Sequence, residues 1–210
     1  SRSSAASDVY KRQVLVQGHI KIHDPESGAV FVNKRNAIHY ENMSIALAES
    51  VANQGQGFIS SMAFGNGGTS VDPTGIITYL TPNSTGTNAS LYNQTFTKIV
   101  DDRSVSNLDP QRNKIETRHV NGTNYTDVVV TCLLDYGEPN GQDATDTASA
   151  SDSLYVFDEL GLVSYASSGT GKLLTHVIFH PVQKSLNRLI QIDYTAVSYT
   201  HLRAHETSLH

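Results

Sequence analysis

The sequence is short of the residues on which several classes of protein depend. Cys132 is the single cysteine among 210 residues, so no disulfide can form within the chain. No apolar run approaches the roughly 18 residues that a membrane-spanning helix needs, so no membrane partner is expected. Lysine and arginine total 15 against 20 acidic residues, and they form no cluster. This charge balance argues against a nucleic-acid groove or an anionic membrane surface as the binding partner.

The lone cysteine is also a poor candidate for covalent chemistry. Cys132 lies within the apolar run 128–134, and no basic residue is near it in the sequence to stabilise a thiolate. We therefore predict that it is a small buried hydrophobe.

The two ends of the chain are atypical of a natural domain. Residues 1–13 and 196–210 resemble translated sequencing-adaptor read-through, and neither contains the apolar segment of a signal peptide. We predict that both ends are non-native or disordered and that residues 14–195 form a single β-rich domain, truncated at its C-terminal end. In this interpretation the last strand is cut at Ala196, which leaves its edge incompletely covered.

What the chain does contain is β-strand pattern. Val14, Val16, Ile20 and Ile22 alternate with polar residues, which is typical of a half-buried strand. Residues 128–134 are apolar at both parities and predict a strand covered on both faces. The densest strand signal is at 155–195, where three apolar runs are separated by turn residues.

One helix interrupts this pattern, at about residues 41–53. Met43, Leu47 and Val51 recur every four residues and predict an apolar stripe that covers an open face of a sheet. The predicted fold is therefore mainly β: an antiparallel β-sandwich-like domain with one covering α-helix (about 41–53).

The candidate metal ligands do not have usable spacing. Two pairs of histidines lie four residues apart on predicted strands: His19 with His23, and His176 with His180. Four residues of strand separate such side chains by about 13 Å, too far to share one ion. A further three carboxylates in a polar loop lack the regular spacing of a calcium loop: Asp143, Asp146 and Asp152. No metal site and no cofactor are predicted.

The candidate acid–base pairs and phosphate-binding loops are also excluded by their geometry. Two pairs of adjacent carboxylates should point to opposite faces of their strands and so cannot act as a pair: Asp101 with Asp102, and Asp158 with Glu159. Two glycine-rich segments resemble phosphate cradles, 65–68 and 169–172, but neither precedes a helix, so both are predicted to be turns. No catalytic residue is predicted, and we expect that the domain is not an enzyme.

A resemblance suggests a function. The segments 157–162, 173–182 and 189–195 resemble the closing strands of uncharacterised structural proteins of tailed-bacteriophage virions, of the tail, neck or baseplate type. Segments 62–68 and 76–82 fit the same group. The resemblance implies a non-enzymatic virion component, assembled in the bacterial host cytoplasm, which binds copies of itself and other virion proteins through heterologous edges. It implies no functional residues.

A carbohydrate- or receptor-binding module is the alternative. The polar loops 81–93 and 135–153 could gather at one end of a sandwich and hold a glycan receptor of the phage tail. This alternative would gain support if Tyr92, Tyr136 and Tyr155 lined one groove. An enzyme, such as a depolymerase, would instead require two buried carboxylates that face one cleft.

Overall fold

The computed structural model describes residues 12–139 and 155–202 of the chain. Eleven strands and one helix lie in these ranges. Their bounds are β1 (Arg12–His23), β2 (Val30–Ile38), α1 (Tyr40–Val51), β3 (Ile59–Gly65), β4 (Thr69–Val71), β5 (Ile77–Tyr79), β6 (Gln94–Ile99), β7 (Lys114–His119), β8 (Tyr125–Leu134), β9 (Tyr155–Ser164), β10 (Thr175–Lys184) and β11 (Ile190–Leu202).

Nine of the strands form one curled antiparallel sheet in the order β6-β3-β9-β10-β2-β1-β11-β8-β7. The short hairpin β4–β5 forms a separate two-stranded sheet. Strands β10 and β2 share only two register pairs, so the sheet bends there into two halves. Lys98 of β6 contacts Glu138, which follows β8, at 2.6 Å, and this contact joins the two halves. The predicted mainly β, sandwich-like fold with one helix is confirmed.

The core lies between the two halves. Phe157 of β9 packs edge-on against Phe64 of β3 and Phe179 of β10, with ring centroids 5.4 and 5.7 Å apart. The opposite half contributes Ile192 and Cys132 to the same cluster. Burial raises the pKa of the Cys132 thiol to about 12, which agrees with the prediction of an inert buried hydrophobe.

Helix α1 is where predicted, but only part of the predicted stripe packs inward: Met43 contacts the core cluster. Asn42 and Ala46 are its buried residues, whereas Leu47 and Val51 of the predicted stripe are 42% and 86% exposed. The reason is the docking contact: Asn42 Nδ2 donates to the carbonyl of Leu173 at 2.9 Å, which turns the small Ala46 inward. The side chain of His39 caps the helix by accepting from the N–H of Asn42.

The observed strands cross the predicted domain boundary at residue 195. Strand β11 continues to Leu202, and it pairs with β1 on one side and β8 on the other. Ala196 sits opposite Gly18 and Val128 and is 7% exposed, so residues 196–202 form an interior strand rather than a disordered end with an open edge. At the other end β1 begins at Arg12, before the predicted boundary. The read-through origin of both ends stays a prediction, and residues 1–11 and 203–210 lie outside the described ranges.

Candidate functional site

Three ionisable side chains are buried together in the half of the sheet that contains β9 and β10. Asp158 and Glu159 of β9 are 3% and 0% exposed, and His176 of β10 is 0% exposed. We call these three residues the buried carboxylate cluster. Charged groups are rarely buried unless each is paired and hydrogen-bonded, so their contacts decide what the cluster can do.

Glu159 accepts four hydrogen bonds. Its Oε1 accepts from the N–H groups of Gly67 (3.1 Å) and Asn93 (2.8 Å). Its Oε2 accepts from the N–H of Tyr92 (3.0 Å) and from His176 Nε2 (2.9 Å). Burial opposes ionisation of this carboxyl, but the hydrogen bonds, that of His176 foremost, outweigh it and hold the pKa of Glu159 below its usual value.

His176 is fixed in one tautomer by its two partners. The N–H of Asn83 donates to His176 Nδ1 at 2.8 Å, so Nδ1 cannot bear a proton. Nε2 therefore bears the proton and donates it to Glu159. The ring of Tyr92 packs against the imidazole, with centroids 5.7 Å apart. A neutral imidazole held in this way connects the loop at residue 83 to the loop at residue 92.

Asp158 accepts three hydrogen bonds. Its Oδ1 accepts from the N–H of Gly68 at 2.9 Å. Its Oδ2 accepts from the N–H of Thr69 at 2.8 Å and from the Thr69 hydroxyl. The two adjacent carboxylates therefore bind consecutive residues of one loop. The prediction that they point to opposite faces of the strand, and so cannot act as a pair, missed this shared role. The loop wraps over β9, where Gly65 pairs with Glu159, and so reaches both side chains.

These contacts commit the buried carboxylate cluster to the loops of its own chain. Every carboxylate oxygen already accepts at least one donor, and none of the four main grooves in residues 12–139 and 155–202 is lined by Asp158, Glu159 or His176. The N–H groups of Gly67 and Gly68, which could have cradled a phosphate, are donated to carboxylates instead. The cluster therefore ties loops 65–69 and 83–93 to the sheet.

The other predicted side chains do not assemble into a site. His19 is exposed, while His23 contacts Asp193 at 2.8 Å; His180 contacts Tyr79 at 3.3 Å. No group of three or more His, Cys, Asp or Glu side chains within the described ranges is arranged to hold a metal ion. Asp143, Asp146 and Asp152 lie outside those ranges.

The remaining candidate residues are also dispersed. Asp101 is buried and accepts hydrogen bonds from Arg103, two residues later in the chain. Asp102 is exposed. The segment 169–172 lies in the connection between β9 and β10 and has a bend at Gly169. The three tyrosine hydroxyls bind at three separate places: Tyr92 to Thr81, Tyr136 to Glu26 and Tyr155 to Thr95.

A fixed apolar projection lies on the loop between β6 and β7. Val105 and Leu108 are 99% and 96% exposed; we call them the apolar tip. The loop below the tip is tied down, because Asn107 Nδ2 donates to the carbonyls of Asp101 (3.1 Å) and Asn113 (2.9 Å). Exposed aliphatic residues are ordinary when scattered, but two on a loop held by buried amides form a defined surface.

Two grooves flank helix α1. The apolar groove has a volume of about 190 Å³ and lies between α1 and strands β1, β8 and β11, with Met43, Ala46, Leu47, Phe58 and Val128 among its lining residues. The wide groove has a volume of about 630 Å³ and lies at the start of α1. Its lining is mainly apolar and includes Val16, Ala37, Ile38, Gln17, Arg35 and Tyr40. Neither was foreseen, because their residues are far apart in the sequence.

Comparisons with known proteins found no match to a protein-family model, a curated protein or a solved structure. No helix in the described part of the chain is long and apolar enough to cross a membrane.

Proposed function

We propose that this domain is a non-enzymatic structural subunit that assembles into a symmetric oligomer, as a component of the tail, neck or baseplate of a tailed bacteriophage. The observation that most supports this proposal is the exposure of the apolar tip. Val105 and Leu108 are almost fully exposed on a loop that buried hydrogen bonds hold in place. Covering each of these side chains would contribute about 1.5–3 kcal/mol, so a fixed pair of them favours association.

The apolar groove of a second copy is the surface that fits the tip. Its lining includes Met43, Ala46 and Phe58, and its volume of about 190 Å³ suits short aliphatic side chains. The tip and the groove are different patches of the same chain. A contact between different patches repeats head to tail, and it closes into a ring when the rotation allows. The rings and tubes of a phage tail need this kind of contact.

The sheet edge at β7 is less suited to the same role. Among the described residues β7 pairs with β8 alone, but it carries Glu116 in contact with Lys114 and Arg118. Charged residues on an edge strand discourage pairing with another chain. This favours assembly through the apolar tip.

The hydrogen bonds of Asp158 and Glu159 support the non-enzymatic part of the proposal. A general acid or base needs a free position from which to reach a substrate proton. Asp158 and Glu159 instead accept from five backbone N–H groups, the Thr69 hydroxyl and His176. The resemblance to virion structural proteins provides the cellular setting, a particle assembled in the bacterial host cytoplasm together with other virion proteins.

Light scattering coupled to size-exclusion chromatography tests the proposal on the full chain. We expect an oligomer for the unaltered protein and a monomer for the double variant Val105→Asp/Leu108→Asp. Val120→Asp is the matched control, because Val120 is a 60% exposed aliphatic residue on a different turn. It should leave the oligomer intact. A monomeric unaltered protein at high concentration would contradict the proposal, and so would an oligomer that the double variant does not disrupt.

A further inference from the structure

The turn between β7 and β8 contains an asparagine–glycine pair whose polar groups are free. Residues 120–123 form this turn, in which the N–H of Thr123 donates to the carbonyl of Val120 at 3.1 Å. Asn121 and Gly122 are the two central residues, and both are exposed. The side chain of Asn121 and the N–H of Gly122 make no hydrogen bond with any residue of the described ranges.

A free asparagine side chain that precedes glycine can react with its own backbone. The nitrogen of Gly122 attacks Cγ of Asn121, and the side-chain nitrogen leaves as ammonia with the proton of the attacking N–H, so that a succinimide ring forms. Water then opens the ring at one of its two carbonyls and gives either aspartate or isoaspartate. Water is the only co-reactant. Glycine favours the attack because it has no Cβ beside the nitrogen.

The surroundings of Gly122 leave room for this reaction. Its φ is 85°, and a Cβ built at this position would meet no atom within 4 Å. The Thr123 hydroxyl adds a second hydrogen bond to the carbonyl of Val120, at 2.6 Å. Both bonds that hold the turn join residues of the turn itself, so it can open locally while the core stays intact.

The other asparagine–glycine pair of the described ranges is restrained. The N–H of Gly67 donates to Glu159 Oε1 at 3.1 Å, and Asn66 Oδ1 accepts from Asn93 Nδ2 at 2.5 Å. The N–H of Asn66 also donates to the carbonyl of Asn93 at 3.1 Å. Attack by the Gly67 nitrogen would have to break its bond to a fully buried carboxylate. The fold therefore protects one pair and exposes the other.

We infer that Asn121 is a site of spontaneous covalent modification, which converts it to aspartate and isoaspartate in the folded protein, whereas the buried carboxylate cluster protects Asn66. The conversion replaces a neutral amide with a carboxylate. Isoaspartate also lengthens the backbone of the turn by one atom. The modification goes beyond the proposed structural role and does not rest on it.

Incubation of the full chain at mildly alkaline pH tests the inference, with mass spectrometry of the proteolytic peptides that contain residue 121 or residue 66. An isoaspartyl methyltransferase with labelled S-adenosylmethionine detects isoaspartate independently. In the native protein we expect Asn121 to be converted at least about tenfold faster than Asn66, because opening the segment at Asn66 must break several hydrogen bonds. In urea the two sites should react at similar rates. Asn121→Gln is the matched control: it keeps the amide on a longer side chain and should remove the isoaspartate signal of the turn.

Two results would overturn the inference: equal rates at Asn121 and Asn66 in the native protein, or conversion of Asn121 that occurs only in urea. A third asparagine–glycine pair, 140–141, lies outside the described ranges and is distinguished by its own peptide. The double variant Val105→Asp/Leu108→Asp should keep the same ratio of rates, because the turn 120–123 is not part of the apolar tip. A monomeric protein that is converted at Asn121 would contradict the assembly proposal alone. An oligomer that is not converted at Asn121 in this monomeric variant would contradict the present inference alone.

Discussion

Replacing Glu159 with glutamine should destabilise the domain strongly, although the two side chains have nearly the same shape. The carboxylate accepts from four donors, two at each oxygen. Glutamine retains one accepting oxygen and places an NH₂ group against the other two donors. Each buried donor without an acceptor costs about 1–3 kcal/mol, so Glu159→Gln should lower the free energy of unfolding by about 2–6 kcal/mol. Domains are typically stable by about 5–15 kcal/mol, so a loss of this size is readily measured.

Urea denaturation followed by far-UV circular dichroism measures the loss, with Val105→Asp/Leu108→Asp as the background so that association does not contribute. Glu41→Gln is the control, because Glu41 is exposed and its carboxylate has no partner in the described ranges. It should change the free energy of unfolding by less than about 0.5 kcal/mol. A Glu159→Gln variant that is as stable as this control would refute the structural role of the buried carboxylate cluster.

The pH dependence gives a second check on the same residue. The pKa of Glu159 is lowered in the folded protein. Its ionised form therefore stabilises the fold fully above the unfolded pKa of about 4.3, and this contribution is lost as the pH falls through the folded value. The difference in stability between the unaltered protein and Glu159→Gln should shrink below about pH 4.3. A difference that stays constant down to pH 2 would contradict the assignment.

Three further predictions follow from single features of the fold. Gly171→Ala should lower the melting temperature much more than Gly169→Ala. A Cβ at 171 would lie 1.7 Å from the Ser164 carbonyl oxygen, whereas a Cβ at 169 would have no atom within 4 Å and only the positive φ of Gly169 opposes alanine there. Equal shifts in melting temperature would contradict the close approach at 171. The Cys132 thiol, whose pKa burial raises to about 12, should resist a maleimide at pH 8 until urea is added; rapid labelling of the native protein would contradict its burial. Deleting residues 196–210 should abolish the cooperative thermal transition, because β11 pairs with both β1 and β8 beyond residue 195; an unchanged transition would show that the end is dispensable.

The local pattern of the sequence predicted most of the strands because period-two alternation reflects burial directly. In β1, Val16, Ile20 and Ile22 of the alternating set are buried, whereas Val14, near the start of the strand, is 55% exposed. The packing face of α1 was not predictable in the same way. Its orientation is set by one hydrogen bond from Asn42 to a residue 131 positions later in the chain, and no helical period contains that information.

The buried carboxylate cluster was missed for a similar reason. Spacing arguments compared His176 with His180 along one strand, whereas the actual partner of His176 is Glu159 on the neighbouring strand. A usable signal was present, because an Asp-Glu pair inside the otherwise apolar strand β9 must be buried with partners. The wide groove could not have been found from sequence, since Gln17, Asn36 and Tyr40 come from three different elements.

The central claim is that the apolar tip of one copy occupies the apolar groove of another, and a disulfide between copies tests it most directly. Leu108→Cys places a thiol on the tip, and Leu47→Cys places one at the groove, while Cys132 is fully buried and does not interfere. Mixing the two variants under mild oxidation should give a covalent dimer on a non-reducing gel, well above the amount that either variant forms alone. A mixture that gives no more dimer than the separate variants would contradict the account.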